Sequence, residues 1–219
     1  MPPGEASQIL ARAVAAAAAA GQDWHRLLDD ASEVAVFGST AASMDGPFSD
    51  VDILVTGRVR SRKTRTLDLI VHPQDKLWTP EWLGSELAGH IAAYGVWLKG
   101  TPLWVREAKV GEIALDRKLA RIQRLLAATQ RHWLRLDVDF RRQSLTSIRR
   151  ELQRASLLER GIAIPPTPEL DRMAAGALDP KLSEWVRELG EAGVMDTDAT
   201  LLARLAGEVP QPSSAYQRR

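Results

Sequence analysis

Asp50 and Asp52 lie two residues apart at the head of an apolar run, Val51-Asp52-Ile53-Leu54-Val55, which has the composition of a buried strand over about residues 50–55. Side chains alternate along a strand, so both carboxylates share one face while Val51, Ile53 and Val55 share the other. A further strand over about residues 66–71 carries Leu67, Leu69 and Val71 on one parity and Asp68 with Ile70 on the other. If the two strands pair side by side, three carboxylates meet. The position of Asp68 depends on register, since a slip of one residue turns its side chain away.

Three like charges that close raise one another's proton affinities and destabilise the fold unless a cation neutralises them. A hard divalent ion, magnesium best of all, prefers such oxygen ligands and keeps water positions that phosphate oxygens can replace. The chemistry that rewards this arrangement is phosphoryl or nucleotidyl transfer. Just upstream, Glu33 to Phe37 reads as a buried strand ended by Gly38-Ser39. The glycine permits a tight turn or close approach of a ligand, and the serine adds a hydroxyl to the local N–H donors, a suitable grip for phosphate oxygens.

The remaining pattern frames these strands. Residues 5–20 form an alanine-rich helix closed by Gly21, and a short segment follows at 24–28. Residues 58–65 carry five positive charges, Arg58, Arg60, Arg62, Lys63 and Arg65, in a connection that reads as a hairpin tip and is a candidate phosphate contact. Thr79-Pro80-Glu81 opens a helix predicted to reach Tyr94. A short strand follows at 96–98, with a turn at 100–102 before Leu103-Trp104-Val105. From Glu112 the spacing becomes helical, with patterns at 112–126 and 133–158 and short helices at 181–189 and 199–205. The expected fold is α+β: a small mixed-sheet core with an N-terminal helix over 5–108, a helical domain over 112–208, and a flexible tail over 209–219.

Composition narrows the chemistry further. The 219 residues include no cysteine, which removes disulfides, thiolate nucleophiles and thiolate-held metals, and permits a reducing, cytoplasmic setting. Four scattered histidines disfavour zinc. No run of 18 or more apolar residues is present, so no membrane span is expected, and the alanine run is too weakly apolar to read as a secretory leader. Lys plus Arg number 29 against 28 Asp plus Glu, so any positive field is local. Residues 111–172 carry such an excess, thirteen basic against eight acidic, with Arg141, Arg142, Arg149, Arg150 and Arg154 on one helix. That distribution suits phosphate backbones or an acidic partner as well as a solvated face.

The segments VAVFGSTAASMDGPFSDVDILV and RTLDLIVH together resemble the nucleotidyltransferase superfamily that includes DNA polymerase beta and the antibiotic adenylyltransferases. DGPFSDVDILV is similar to the kanamycin and streptomycin/spectinomycin enzymes, and GVWLKGTPLW to the strand and turn that end the core of small members. The resemblance implies that Gly38 and Ser39 hold the β- and γ-phosphates and that Asp50 and Asp52 bind catalytic magnesium. Asp68 would complete the metal site or help activate an acceptor hydroxyl. It departs from the pattern where many members carry a basic residue after the serine, since Thr40 to Ser43 supply no charge.

The implied activity is metal-dependent transfer of a nucleoside monophosphate, AMP from ATP being the first choice, to the hydroxyl of a small-molecule acceptor, an aminoglycoside-like or other hydroxyl-bearing compound. Adenylylation of a protein or RNA partner, in the manner of an antitoxin, is the alternative, and a noncatalytic nucleotide- or RNA-binding protein is a third reading. Glu107 and Glu112 are weak candidates for the general base. Trp78, Trp82, Trp97 and Trp104 can stack on a base or build the core.

Overall fold

The two acid-bearing strands lie side by side but run parallel, and this corrects the hairpin expected between them. The computed structural model describes residues 3–46, 49–173, 180–196 and 198–213. Five strands, β1 (Ala31–Phe37), β2 (Val51–Gly57), β3 (Arg62–Lys63), β4 (Leu67–His72) and β5 (Val96–Lys99), form one sheet in the order β3-β4-β2-β1-β5. β1 is antiparallel to both β2 and β5, β4 is parallel to β2, and β3 is antiparallel to β4. The basic connection therefore does not fold back on β2. It carries the chain out to the sheet edge, pairs as β3, and returns as β4 into the space between.

Each face of the sheet has its own cover. Val34, Val36, Val51, Ile53, Val55, Leu67 and Leu69 face the helices α1 (Pro3–Ala19) and α2 (Trp24–Asp30), where Ile9, Ala13, Ala17 and Leu27 complete a core. The helix α1 begins two residues before the predicted start, and Gly21 follows it in the left-handed region at φ 67°. Asp23 caps α2, its Oδ1 accepting from the N–H groups of His25 and Arg26 at 3.0 and 3.2 Å. On the opposite face Ala35, Phe37 and Leu54 pack against Leu77, Trp82, Ala88, Ile91 and Trp104. Asp52 and Asp68 share the parity of Leu54 and Ile70, so they belong to this second face.

The helix predicted over 79–94 is interrupted. A 3-10 turn (Gln74–Trp78) leads into α4 (Pro80–Leu83), capped by the Thr79 hydroxyl, and α5 (Glu86–Tyr94) starts afresh under a Ser85 cap. Gly84 at the break lacks the helix propensity to carry the two segments through, and Ser85 offers its Oγ to the N–H of Ala88 at 3.0 Å. Residues 103–106 form a 3-10 turn whose Trp104 is buried and donates Nε1–H to the buried Glu33 carboxylate at 3.0 Å. Gly100 before it has φ 86°, and a Cβ there would sit 2.6 Å from the Ser32 carbonyl oxygen, so the turn requires glycine.

The chain divides into two compact units, residues 1–110 with 165–169, and residues 111–164 with 170–219. In the second, α6 (Glu112–His132) packs on α7 (Val138–Glu159) and α10 (Asp198–Glu208), while α7 also packs on α9 (Pro180–Glu191). Ile122, Leu126, Ile148, Leu152, Trp185, Leu202 and Leu205 are buried there. The helix predicted over 133–158 starts later: Trp133 lies in a 3-10 turn (Trp133–Arg135), and Phe140 is 58% exposed. A further helix, α8 (Thr167–Arg172), lies between the expected helices, with Pro168 in the first turn where no N–H is needed. Of the tail, Ser213 bonds through its N–H and hydroxyl to the Asp116 carboxylate, and residues 214–219 lie outside those described. No described helix is long and apolar enough to cross a membrane.

Candidate active site and metal centre

Register brings the acids together. Asp52 on β2 pairs with Phe37 on β1 and with Asp68 on β4, and Asp50 stands just before β2 at the same end of the sheet. One carboxylate oxygen from each of Asp50, Asp52 and Asp68 lies within 4.8 Å of the others. At that separation each pair of charges repels by roughly 3 kcal/mol at an effective dielectric near 20. The consequence falls on Asp52, pushed from 3.8 up to about 7 by burial first and then by the charges of Asp50 and Asp68, with Lys63 pulling the other way. All three side chains are half-buried, which leaves them accessible to an incoming ion. Three hard oxygen donors with Lys63 as the cation paired to one of them still carry excess negative charge and suit a divalent cation such as magnesium, so the residues present fit the metal.

The turn after β1 is built around the same carboxylates. Gly38 has φ 71°, and a Cβ on it would collide with Oδ2 of Asp52, so the turn closes on the cluster only with glycine. Gly38 to Ala41 then form one helical turn, α3 (Gly38–Ala41), with no capping side chain at Phe37. Thr40, the first of the four uncharged residues after Ser39, is 1% exposed and its hydroxyl lies 3.5 Å from the Asp50 carbonyl oxygen. The uncharged stretch thus links the turn to the first acid. Arg12 ion-pairs with Asp45, tying α1 to the loop that leads into Asp50.

His90 escaped the sequence reading. It sits on α5, its Nε2 accepting the Gly38 N–H at 3.3 Å, and its ring lies between Phe37 and Tyr94 with centroids 6.1 and 5.4 Å away. An accepting Nε2 belongs to a neutral ring protonated on Nδ1. A lone histidine in a helix carries no spacing signal, and only the fold of α5 over the end of β1 reveals it.

The basic connection splits its charges between the two ends of the sheet. Arg58 and Arg60 follow β2 at the end away from the acids, where they line a polar cavity of about 430 Å³ with Asp23, Arg26 and Asp30. Lys63 stands opposite Asp68 across the β3–β4 pair and forms an ion pair with its carboxylate. That hydrogen bond and charge raise the Lys63 ammonium above its usual range.

The other candidates take different places. Trp82 and Trp97 each meet Trp104 edge to face, with centroids 5.5 and 5.9 Å away, and the three build the core beneath the second face, whereas Trp78 is 47% exposed. Glu107 is exposed after the 3-10 turn, and Glu112 is exposed at the start of α6 in the helical unit. On α7, Arg141 pairs with Asp196, Arg142 with Asp139, Arg150 with Asp171 and Arg154 with Glu151. Those pairings satisfy charges that the sequence offered to a phosphate backbone. The helical unit also contains a cavity of about 310 Å³ lined by Leu115, Leu119, Leu152, Trp185, Glu159 and Glu208 among others.

Residues 23–100 match a family model described as nucleotidyltransferase domain. The match opens at the Asp23 cap of α2 and closes at the Gly100 turn after β5, and so spans the whole sheet and its acidic cluster. No curated protein matches the chain.

Proposed function

We propose that this nucleotidyltransferase domain transfers a nucleoside monophosphate, AMP from ATP as the first choice, to a hydroxyl of a small-molecule acceptor in a magnesium-dependent reaction. The convergence of Asp50, Asp52 and Asp68 within 4.8 Å, beside a turn that tolerates only glycine, is the observation that supports it. The three carboxylates would hold the ion, which when bound would offset negative charge on the transferring phosphoryl group. The α3 turn offers backbone N–H groups and the Ser39 hydroxyl to the terminal phosphates, so that the α-phosphorus faces the carboxylates. His90 fixes the Gly38 peptide and thereby the orientation of that turn. In-line attack by the acceptor hydroxyl oxygen forms the new P–O bond and breaks the bond to the β-phosphate, pyrophosphate departing on the α3 side and the hydroxyl proton passing to solvent.

We assign acceptor binding to the helical unit. Its cavity of about 310 Å³ supports a small molecule as the acceptor. Its leucine and tryptophan walls suit an acceptor with an apolar body better than a heavily hydroxylated aminoglycoside, and its lining carries both signs of charge, Lys181 beside Glu159 and a Glu208 that already accepts from Trp185 Nε1–H. The test is incubation with α-labelled nucleoside triphosphates, magnesium and a panel of amino alcohols and aminoglycosides. Label transfer and pyrophosphate release that vanish in Asp50→Asn support the proposal. Release that persists in that variant refutes the role of the cluster, and label appearing on added RNA or protein transfers the reading to a macromolecular acceptor.

A further inference from the structure

We infer that Lys63 is a built-in counter-cation of the acidic cluster, one that a divalent ion must displace from Asp68 and that the phosphates of an incoming nucleotide draw away. This rests on the proposed metal role of the cluster and adds an order of events to it. β3 has two residues, and its register sets Lys63 directly opposite Asp68 on the antiparallel neighbour. Their side chains therefore emerge on one face, and the ammonium bonds to the same carboxylate that completes the cluster. The arrangement is built from pairing geometry rather than from a long side chain wandering over a surface.

Accessibility makes the contact exchangeable. The Lys63 side chain is 72% exposed while that of Asp68 is 20% exposed, so the lysine can swing into solvent and the acid stays in place. Exposed ion pairs hold weakly, and one ammonium cannot match a doubly charged ion among three carboxylates. With Lys63 engaged, Asp68 gives up part of its capacity as a ligand, and the cluster binds a bare ion less well than three free carboxylates would. A triphosphate arriving beside the α3 turn is a more highly charged anion than Asp68 and competes for the same ammonium. Lys63 then supplies the positive charge that the Thr40 to Ser43 stretch lacks, and metal binding becomes coupled to nucleotide binding.

The experiment measures manganese affinity by electron paramagnetic resonance for the full chain, Lys63→Met, Lys63→Arg and Asp50→Asn, with and without a non-hydrolysable ATP analogue. Lys63→Met should bind manganese alone about five- to tenfold tighter than the unaltered protein, and the analogue should tighten manganese binding less in this variant. Lys63→Arg should keep the unaltered behaviour. Equal manganese affinity in the unaltered protein and Lys63→Met overturns the inference, while loss of binding in Asp50→Asn shows that the cluster itself still holds the ion. Manganese binding unchanged by Asp50→Asn overturns the metal site itself, and absence of binding in every form overturns both.

Discussion

Asp52→Asn should leave the metal-free protein more stable at alkaline pH than the unaltered chain, although it removes a group proposed to be essential for activity. The carboxyl is raised from 3.8 to about 7, chiefly by burial and then by Asp50 and Asp68. At about 1.4 kcal/mol for each tenfold change in proton affinity, that gap corresponds to about 4 kcal/mol, reduced by solvent at a half-buried group to about 2 to 4 kcal/mol. Between these two pH values the folded state binds a proton that the unfolded state has released, so stability falls as pH rises through the window and levels off above about 7. Urea denaturation in EDTA, followed by tryptophan fluorescence at pH 5 and pH 8, reads the effect. Between those pH values the unaltered protein should lose roughly 2 kcal/mol relative to Asp52→Asn, a shift of about 1 M in midpoint. Excess magnesium at pH 8 should restore the unaltered protein and leave the variant unmoved. Parallel pH dependences for the two proteins would refute the electrostatic account of the cluster.

Further outcomes follow from the same geometry. Gly38→Ala should lower transfer at least a hundredfold with circular dichroism unchanged, because the new methyl meets the Asp52 carboxylate; activity within threefold of normal would show that the turn does not need to close on the cluster. His90→Ala should lower kcat/KM about tenfold while leaving manganese affinity intact, consistent with loss of one hydrogen bond of about 1 kcal/mol that positions the phosphate turn. Trp104→Phe leaves the buried Glu33 carboxylate without its indole donor and should cost about 1 to 3 kcal/mol in urea denaturation, with Glu33→Gln in the same background recovering part of it. Lys118→Met should destabilise by about 3 kcal/mol because it strands the buried Glu151, whose remaining arginine partners soften the loss, whereas Lys118→Met with Glu151→Leu should cost less.

The acidic site was legible because alternation along a strand is a short-range signal. Asp50 and Asp52 declared a face by their spacing, and Asp68 declared one by its parity with Ile70, so pairing of any sense in the observed register brings them together. The sense of pairing was not legible. Residues 58–65 look like a hairpin because charge and glycine mark a turn, yet only tertiary pairing shows that Arg62 and Lys63 leave that turn to form the edge strand. The same limit hid the roles of cations: Lys63 and the arginines of α7 read alike in sequence, and what separates them is which acid folding sets opposite each one. His90 was hidden for a related reason, since its proposed role depends on a contact with Gly38, 52 positions away in the chain. The break at Gly84 and Ser85 was readable in principle, as a weak helix former followed by a capping hydroxyl, but the start signals at Thr79-Pro80-Glu81 were read as opening one continuous helix.

The most direct test of the central claim is a crystal structure with manganese and a non-hydrolysable nucleoside triphosphate, read by anomalous scattering. The account predicts a manganese peak among Asp50, Asp52 and Asp68, with the terminal phosphates on the α3 turn at Gly38 and Ser39. A nucleotide bound elsewhere, or a cluster without manganese and with Lys63 still on Asp68 at saturating metal and nucleotide, would contradict it.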